Sequence, residues 1–407
     1  MKSAAAAVAD ETPRRFDAAA FNAPPEVDRL RVLALGGAAG GAVLLVIGLL
    51  LRPDYFFRSY LVGWMLWTGV TLGSLALILL HTMTRGSWGI AARRVLEAAV
   101  RTLPWLLVLA VPLAFGLQTL YPWSRPEAAH DELLRQKAAY LNPFAFGLRF
   151  LFYFAVWIFL AFALDRLAAR QDREADPAII ARMKRIAAPG IVLWALCVTF
   201  AAVDWLMSLD PRWYSTIYGV WLMGSMGLSA LAFLIVMSAW LWRREPMSSV
   251  LQPGHFHDWG KLMLAFTMLW AYFSFSQFLI IWAGNLPEEI EWLKRRITGG
   301  WGYVALAIVL FHFAVPFLLL LSRDLKRNPR QLVFVAGLML TMRLVDLFWQ
   351  VEPGFPRESQ SWGFSWMYAA APLAIGGLWL WLFLGELKKR PLLPINDPDL
   401  PEALAHE

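Results

Sequence analysis

Charge is scarce in this 407-residue chain. Only 16% of its residues are Asp, Glu, Lys or Arg while 59% are hydrophobic, against about 25% charged in ordinary soluble domains. So little charge cannot cover a water-facing exterior, so much of the surface must lie against hydrocarbon. Cysteine is nearly absent as well. Cys197 stands alone, which excludes an internal disulfide, a C-x-x-C-H haem attachment, a cysteine-ligated iron–sulfur cluster and a thiol-based zinc site within the chain. There is no G-x-G-x-x-G, Walker loop or H-E-x-x-H, so nucleotide and zinc chemistry lack sequence support. Period-two alternation, the mark of a barrel, is missing too.

What is present is a series of long apolar runs. A bilayer core of about 30 Å needs roughly 20 helical residues. Ten stretches meet this: 31–51, 57–82, 102–120, 143–165, 187–208, 214–242, 258–284, 300–322, 330–351 and 362–386. Lipid offers no hydrogen bonds to the backbone, so each run is predicted to be a helix and the fold an all-α integral membrane bundle. Residues 30–387 form the membrane domain, between a polar tail at 1–29, expected to be mobile, and a C-terminal tail at 388–407. The alanine stretch after Met1 is short and gives way to Asp10, Glu11, Arg14 and Arg15, unlike a signal peptide.

Basic residues divide unevenly between the loops. Twenty-five of the 37 Lys and Arg lie on the side shared by the N-terminus, ten lie on the other side, and Arg149 and Arg343 lie inside spans. The positive-inside rule then places both termini in the cytoplasm. The net charge of +7 follows this pattern of loops and forms no nucleic-acid-binding face. Connectors 87–101, 127–140 and 174–186 look amphipathic. Arg93, Arg94 and Arg101 interleave with Val95, Leu96 and Val100, as expected of a helix in the headgroup plane.

Ionisable residues within spans are costly and mark candidate sites. His81, His255, His257, Asp258 and Lys261 fall near the cytoplasmic end, and His312 falls near mid-span. Arg149, Asp204, Arg343 and Asp346 fall toward the outer side, with Asp210, Asn285, Glu288, Glu289 and Glu352 at the rim. Histidines that titrate near neutrality and desolvated carboxylates could pass protons through a wet interior. Each also has a plainer reading. Arg343 and Asp346, three residues apart, could neutralise each other, and Asp258 could favour a helix N-terminus with Lys261 as partner. In the seventh span Thr267, Trp270, Ser274, Gln277, Ile281 and Asn285 recur at three- and four-residue steps, giving one face that either lines water or hydrogen-bonds a neighbouring helix. The six histidines offer no obvious pair at matching depth for a b-type haem.

The stretches FAAVDWLMSLDPRWYSTIYG from Phe200 to Gly219, HDWGKLMLAFTMLWAYFSFSQFLIIWAGNLPEE from His257 to Glu289 and MRLVDLFWQVEP from Met342 to Pro353 resemble the ActF family, the smaller of the two NrfD-like membrane subunits of bacterial alternative complex III. The likeness runs from the first span to the last. It implies a pair of four-helix bundles with two additional helices, in a quinol:electron acceptor oxidoreductase of the bacterial cytoplasmic membrane. Its implied partners are a larger NrfD-like sister subunit, a periplasmic iron–sulfur protein, pentahaem and monohaem c-type cytochromes, other small membrane subunits and lipid. This chain would ligate no metal and would be no catalyst alone. A quinone or quinol, menaquinone or ubiquinone, is its one candidate ligand.

The family motifs fall on Asp204, His257, Asp258, Lys261, Ser274, Gln277, Asn285, Glu288, Glu289, Arg343 and Asp346. On this basis His257, Asp258 and Lys261 would form a cytoplasmic entrance, Ser274, Gln277 and His312 would support water at mid-depth, and Asp204, Arg343 and Asp346 would form an outer cluster. Two competitors stand beside this proton path. One is a structural scaffold of the same complex, and the other is a secondary transporter, which would need paired unwound segments around a midplane site.

Overall fold

In a computed structural model of the chain, residues 18–355 and 365–404 are described. Among them there is no strand, and ten helices are long and apolar enough to cross a membrane. These are α1 (Glu26–Leu51), α2 (Pro53–Thr84), α3 (Ser87–Phe115), α4 (Pro143–Gln171), α5 (Pro177–Trp205), α6 (Tyr218–Leu241), α7 (Pro253–Gly284), α8 (Trp301–Leu321), α9 (Pro329–Val351) and α10 (Met367–Leu387). Most of the expected 1–29 tail lies outside the described residues; of the rest, Ala18–Phe21 forms one short turn and α1 begins at Glu26. The first three residues of the expected 362–386 run also lie outside them.

Local chemistry starts several spans in the same way. Asn142, Asp176 and Asn328 each accept a hydrogen bond from a backbone N–H of the helix that follows, at 2.8, 2.8 and 3.0 Å. In each case the next residue is a proline, Pro143, Pro177 or Pro329. The polar side chain satisfies an orphan donor, and proline occupies the first position where no N–H is needed. α7 starts with a reciprocal cap between Gln252 and His255.

Burial separates the helices by role. In α2 and α6 83% of the apolar window is buried, against 22% in α7 and α8, so the first two form the centre and the last two face outward. α2 packs on α1, α3, α5, α6, α9 and α10, and α6 on α5, α7 and α9. α4 packs on α5 beside α2, while α7 and α9 pack on α6 and α8 packs on α7 and α9. At Gly73 a Cβ would come within 2.0 Å of the Met226 carbonyl oxygen, so only glycine lets α2 and α6 approach this closely. The segments before α1 and after α10 meet on one face, where the Leu392 N–H donates to the Phe21 carbonyl at 2.8 Å.

The amphipathic connectors depart from expectation. Residues 87–100 are helical but buried, with Arg93 and Arg94 only 6% and 2% exposed. They open α3 as a helix packed against α2, α6 and α10, where the sequence pointed to a span starting at 102 and a surface helix before it. α3 then breaks into the short segments Leu103–Leu109 and Val111–Phe115, followed by a further turn at Leu117–Leu120, because Pro104 and Pro112 lack the N–H an unbroken helix needs. Residues 177–186 are the first turns of α5. The 127–140 connector holds a short turn at Pro126–His130 and a helix at Glu132–Lys137, capped by Asp131. The segment after α10 is packed down, with Leu392, Leu393, Asp397 and Leu400 all buried.

Candidate functional site

α7, α8 and α9 bring the mid-span residues together. Pro316 removes the donor that an α-helix would present to the His312 carbonyl, and α8 widens over Val309–Ala314 into a π-turn carrying His312. The ring is 1% exposed and stacks on Trp270 of α7, centroids 4.3 Å apart and planes 3° from parallel. Arg343 and Asp346 of α9 are the charges nearest in effect to this imidazole, and the Met342 carbonyl is within its hydrogen-bonding reach.

Arg343 Nη1 donates to Asp346 Oδ2, and both side chains are almost fully buried. The other Asp346 oxygen, Oδ1, has no partner; neither do His312 Nδ1, Ser274 Oγ and Trp270 Nε1. Gln277 shares a hydrogen bond with Ser215, and the Tyr218 hydroxyl donates to Gln350 Oε1 at 3.1 Å. Buried polar atoms are rarely left bare, because each costs about 1–3 kcal/mol unpaired. Several on facing helices mark a place for ordered water.

Asp204 belongs elsewhere. It accepts two bonds from Arg149, each 2.9 Å, and a third from the Tyr153 hydroxyl at 2.8 Å. The Tyr140 ring lies 3.7 Å from the Arg149 guanidinium carbon. The expected outer cluster of Asp204, Arg343 and Asp346 is therefore two separate ion pairs, one between α4 and α5 and one within α9. Beside the first pair a cavity of about 320 Å³ is lined by Tyr140, Met207, Trp213 and Tyr214.

His257, Asp258 and Lys261 sit together at the terminal face. Lys261 pairs with Asp258 at 2.6 Å, its side chain 55% exposed. His257 Nδ1 is buried without a bond, with Lys326 and Arg323 contributing to its surroundings. Trp270 lies thirteen residues further along α7, about 20 Å at 1.5 Å per residue, so this trio and the His312 cluster are distinct sites. His255 caps α7 through Nδ1, and its Nε2 meets the Ala403 carbonyl at 3.0 Å.

At the rim Asn285 ends α7 in a left-handed conformation, φ 46°, a cap that Asn tolerates. Glu288 is exposed and Glu289 half-buried in the first turn of the helix Pro287–Ile297, where acidic groups favour the helix dipole. Glu352, expected at the rim, is fully buried and accepts from Arg58 at 3.3 Å and from the Tyr368 hydroxyl.

Sequence reasoning missed the largest charged network among the described residues. Arg93 bonds Glu97 at 2.8 Å and Asp397 at 2.9 Å, Arg94 bonds Glu97 at 2.6 Å and Asp172, and Arg85 reaches Asp397 at 2.5 Å. Burial alone would raise the Asp397 carboxyl pKa, but bonds and charge from Arg85 and Arg93 outweigh it and hold it below its ordinary value. Asp172, by contrast, is raised, chiefly by burial. Nearer the opposite face, Arg296 donates to the Trp292 and Gln350 carbonyls at 3.0 and 2.8 Å, and burial pulls its pKa down to about 9.

Among the described residues no group of three or more His, Cys, Asp or Glu side chains is placed to hold a metal ion. No family model matches the chain, and no curated protein matches it.

Proposed function

We propose that this chain is a multi-pass membrane subunit of a quinol:electron acceptor oxidoreductase of the alternative complex III type, and that it conducts protons through the His312–Asp346 cluster. One observation carries the reading: His312 Nδ1, Asp346 Oδ1 and Ser274 Oγ are buried around a π-turn without protein partners. Water joining them would give an imidazole, a carboxylate and a hydroxyl in sequence, the groups a proton relay uses. The resemblance to the ActF family supports the rest, including the NrfD-like pairing of bundles and the sister, iron–sulfur and cytochrome partners, while the basic residues of the loops support the cytoplasmic placement of both termini.

Oxidation of one quinol releases two electrons and two protons. In this reading the electrons leave through the partners' centres, and His312 and Asp346 carry protons within this chain. His257, Asp258 and Lys261 form a basic entrance at the terminal face, and water spans the 20 Å to His312. The cavity beside Tyr140 and Trp213 is where a quinone ring fits best, since buried Trp213 Nε1 is a free donor for a carbonyl oxygen.

The test is quinol-driven turnover and proton release in the assembled complex carrying Asp346→Asn or His312→Phe. Loss of proton release with assembly intact supports conduction. Unchanged turnover and proton release favour the second reading, a scaffold. That reading draws on the Arg149–Asp204 pair, whose carboxylate already holds three bonds and which serves packing alone.

A further inference from the structure

α1, the Leu103–Leu109 segment of α3 and α10 leave between them a crevice of about 580 Å³ on the outside of the bundle. The proline-broken course of α3 opens it. Its floor and walls are apolar, formed by Val108, Leu378, Leu382 and the half-exposed Trp105. Its terminal-face end carries Arg31, Lys388 and Lys389 against one lining carboxylate, Glu386, which Arg101 also pairs at 3.2 Å.

Arg31 is the unusual member. Its Nε donates to the Trp381 carbonyl at 3.1 Å and its guanidinium stacks 4.5 Å over the Trp381 ring, but no described carboxylate is within ion-pair range. Gly385 makes room for it, since a Cβ there would come within 3.0 Å of an Arg31 terminal nitrogen. Lys388 pairs with Asp28 and Lys389 with Glu386, each at 2.6 Å. Both lysines are exposed, and such pairs exchange partners at little cost.

We propose that this crevice is a binding site for an anionic glycerophospholipid, with its phosphate held by Arg31, Lys388 and Lys389 and one acyl chain laid along Trp105, Val108 and Leu382. The basic end lies at the level where α10 finishes, and the apolar wall continues nine residues inward to Leu378, about 13 Å. That is the layout of a headgroup above a hydrocarbon tail, and basic pockets between membrane helices suit anionic lipids. An acyl chain is thin enough to lie along this wall, while the three cations give the headgroup end a preference for a phosphate.

The full-length protein, reconstituted in nanodiscs of equal phosphatidylglycerol and phosphatidylcholine, is released and its retained lipid counted by native mass spectrometry. Phosphatidylglycerol is expected to be retained over phosphatidylcholine. Arg31→Gln should weaken that preference about fivefold, the equivalent of roughly 1 kcal/mol for one basic residue. Val108→Trp fills the crevice at a lipid-facing position, leaves all three cations in place and should abolish the preference. Equal retention of the two lipids, indifference to both variants, displacement by inorganic phosphate, or a partner's helix seated in the crevice of the intact complex would each overturn the proposal.

Discussion

The imidazole of His312 lies flat on the indole of Trp270, planes 3° from parallel and centroids 4.3 Å apart, joining the π-turn of α8 to the polar face of α7. The stack fixes the plane of a ring whose Nδ1 has no protein partner. Trp270→Ala removes the supporting face and leaves a cavity, with an expected loss of about 3–5 kcal/mol. The check is the unfolding temperature of the purified protein in detergent. Trp270→Phe, which keeps an aromatic face, should recover most of the loss; equal stability for the alanine variant would show that the stack adds no packing.

Arg343 and Asp346 separate packing from conduction. Removing one partner of a buried pair strands the other charge at a cost of about 3–5 kcal/mol, whereas replacing both with apolar residues is often neutral. Asp346→Asn is therefore expected to reduce the yield of folded protein, and Arg343→Met with Asp346→Leu to restore it. If Asp346 also carries protons, the restored double variant still fails to release them during quinol turnover. Recovery of both folding and proton release would make the pair a packing device.

Asp397 links stability to pH. Its carboxyl is held below the ordinary range because bonds from Arg85 and charge from Arg93 outweigh burial. A group lowered by folding contributes stability that is complete above its unfolded value, near 3.9, and lost as pH falls through its folded value. The Asp397 contribution to stability should thus be flat from pH 7 to about 5 and fall below about 4. Asp397→Asn should lower the melting temperature at neutral pH, the loss in stability being about 3–5 kcal/mol for a broken buried pair, and flatten the acid limb. An acid limb as steep as in the parent protein would assign it to other carboxylates.

The helices were legible because lipid leaves the backbone no alternative, and the polar face of α7 was legible from its spacing alone. Partners were not. Arg93 and Arg94 alternate with apolar residues whether they meet headgroups or acids, and their acids, Asp172 and Asp397, lie 78 and 304 residues from them. The same distance problem hid Asp204, read beside Arg343 although it is held by Arg149, 55 residues away. The stack of His312 on Trp270 was out of reach as well, since it depends on a π-turn; Pro316, four residues after His312, was the one sign that the helix there would change register.

The Arg149–Asp204 pair tests whether a carboxylate in this fold is held for shape or for proton transfer. Both Asp204 oxygens accept from one guanidinium at 2.9 Å, and Oδ2 also takes the Tyr153 hydroxyl. Lysine keeps the charge but cannot supply two parallel donors in a plane. Arg149→Lys should therefore lose one charged hydrogen bond, about 1.5–3 kcal/mol, seen as a lower melting temperature. Turnover per assembled complex should stay at the parent level, because the remaining bonds still hold the Asp204 side chain in place. A fall in turnover without loss of stability would move Asp204 from the packing of α4 on α5 into the proton route.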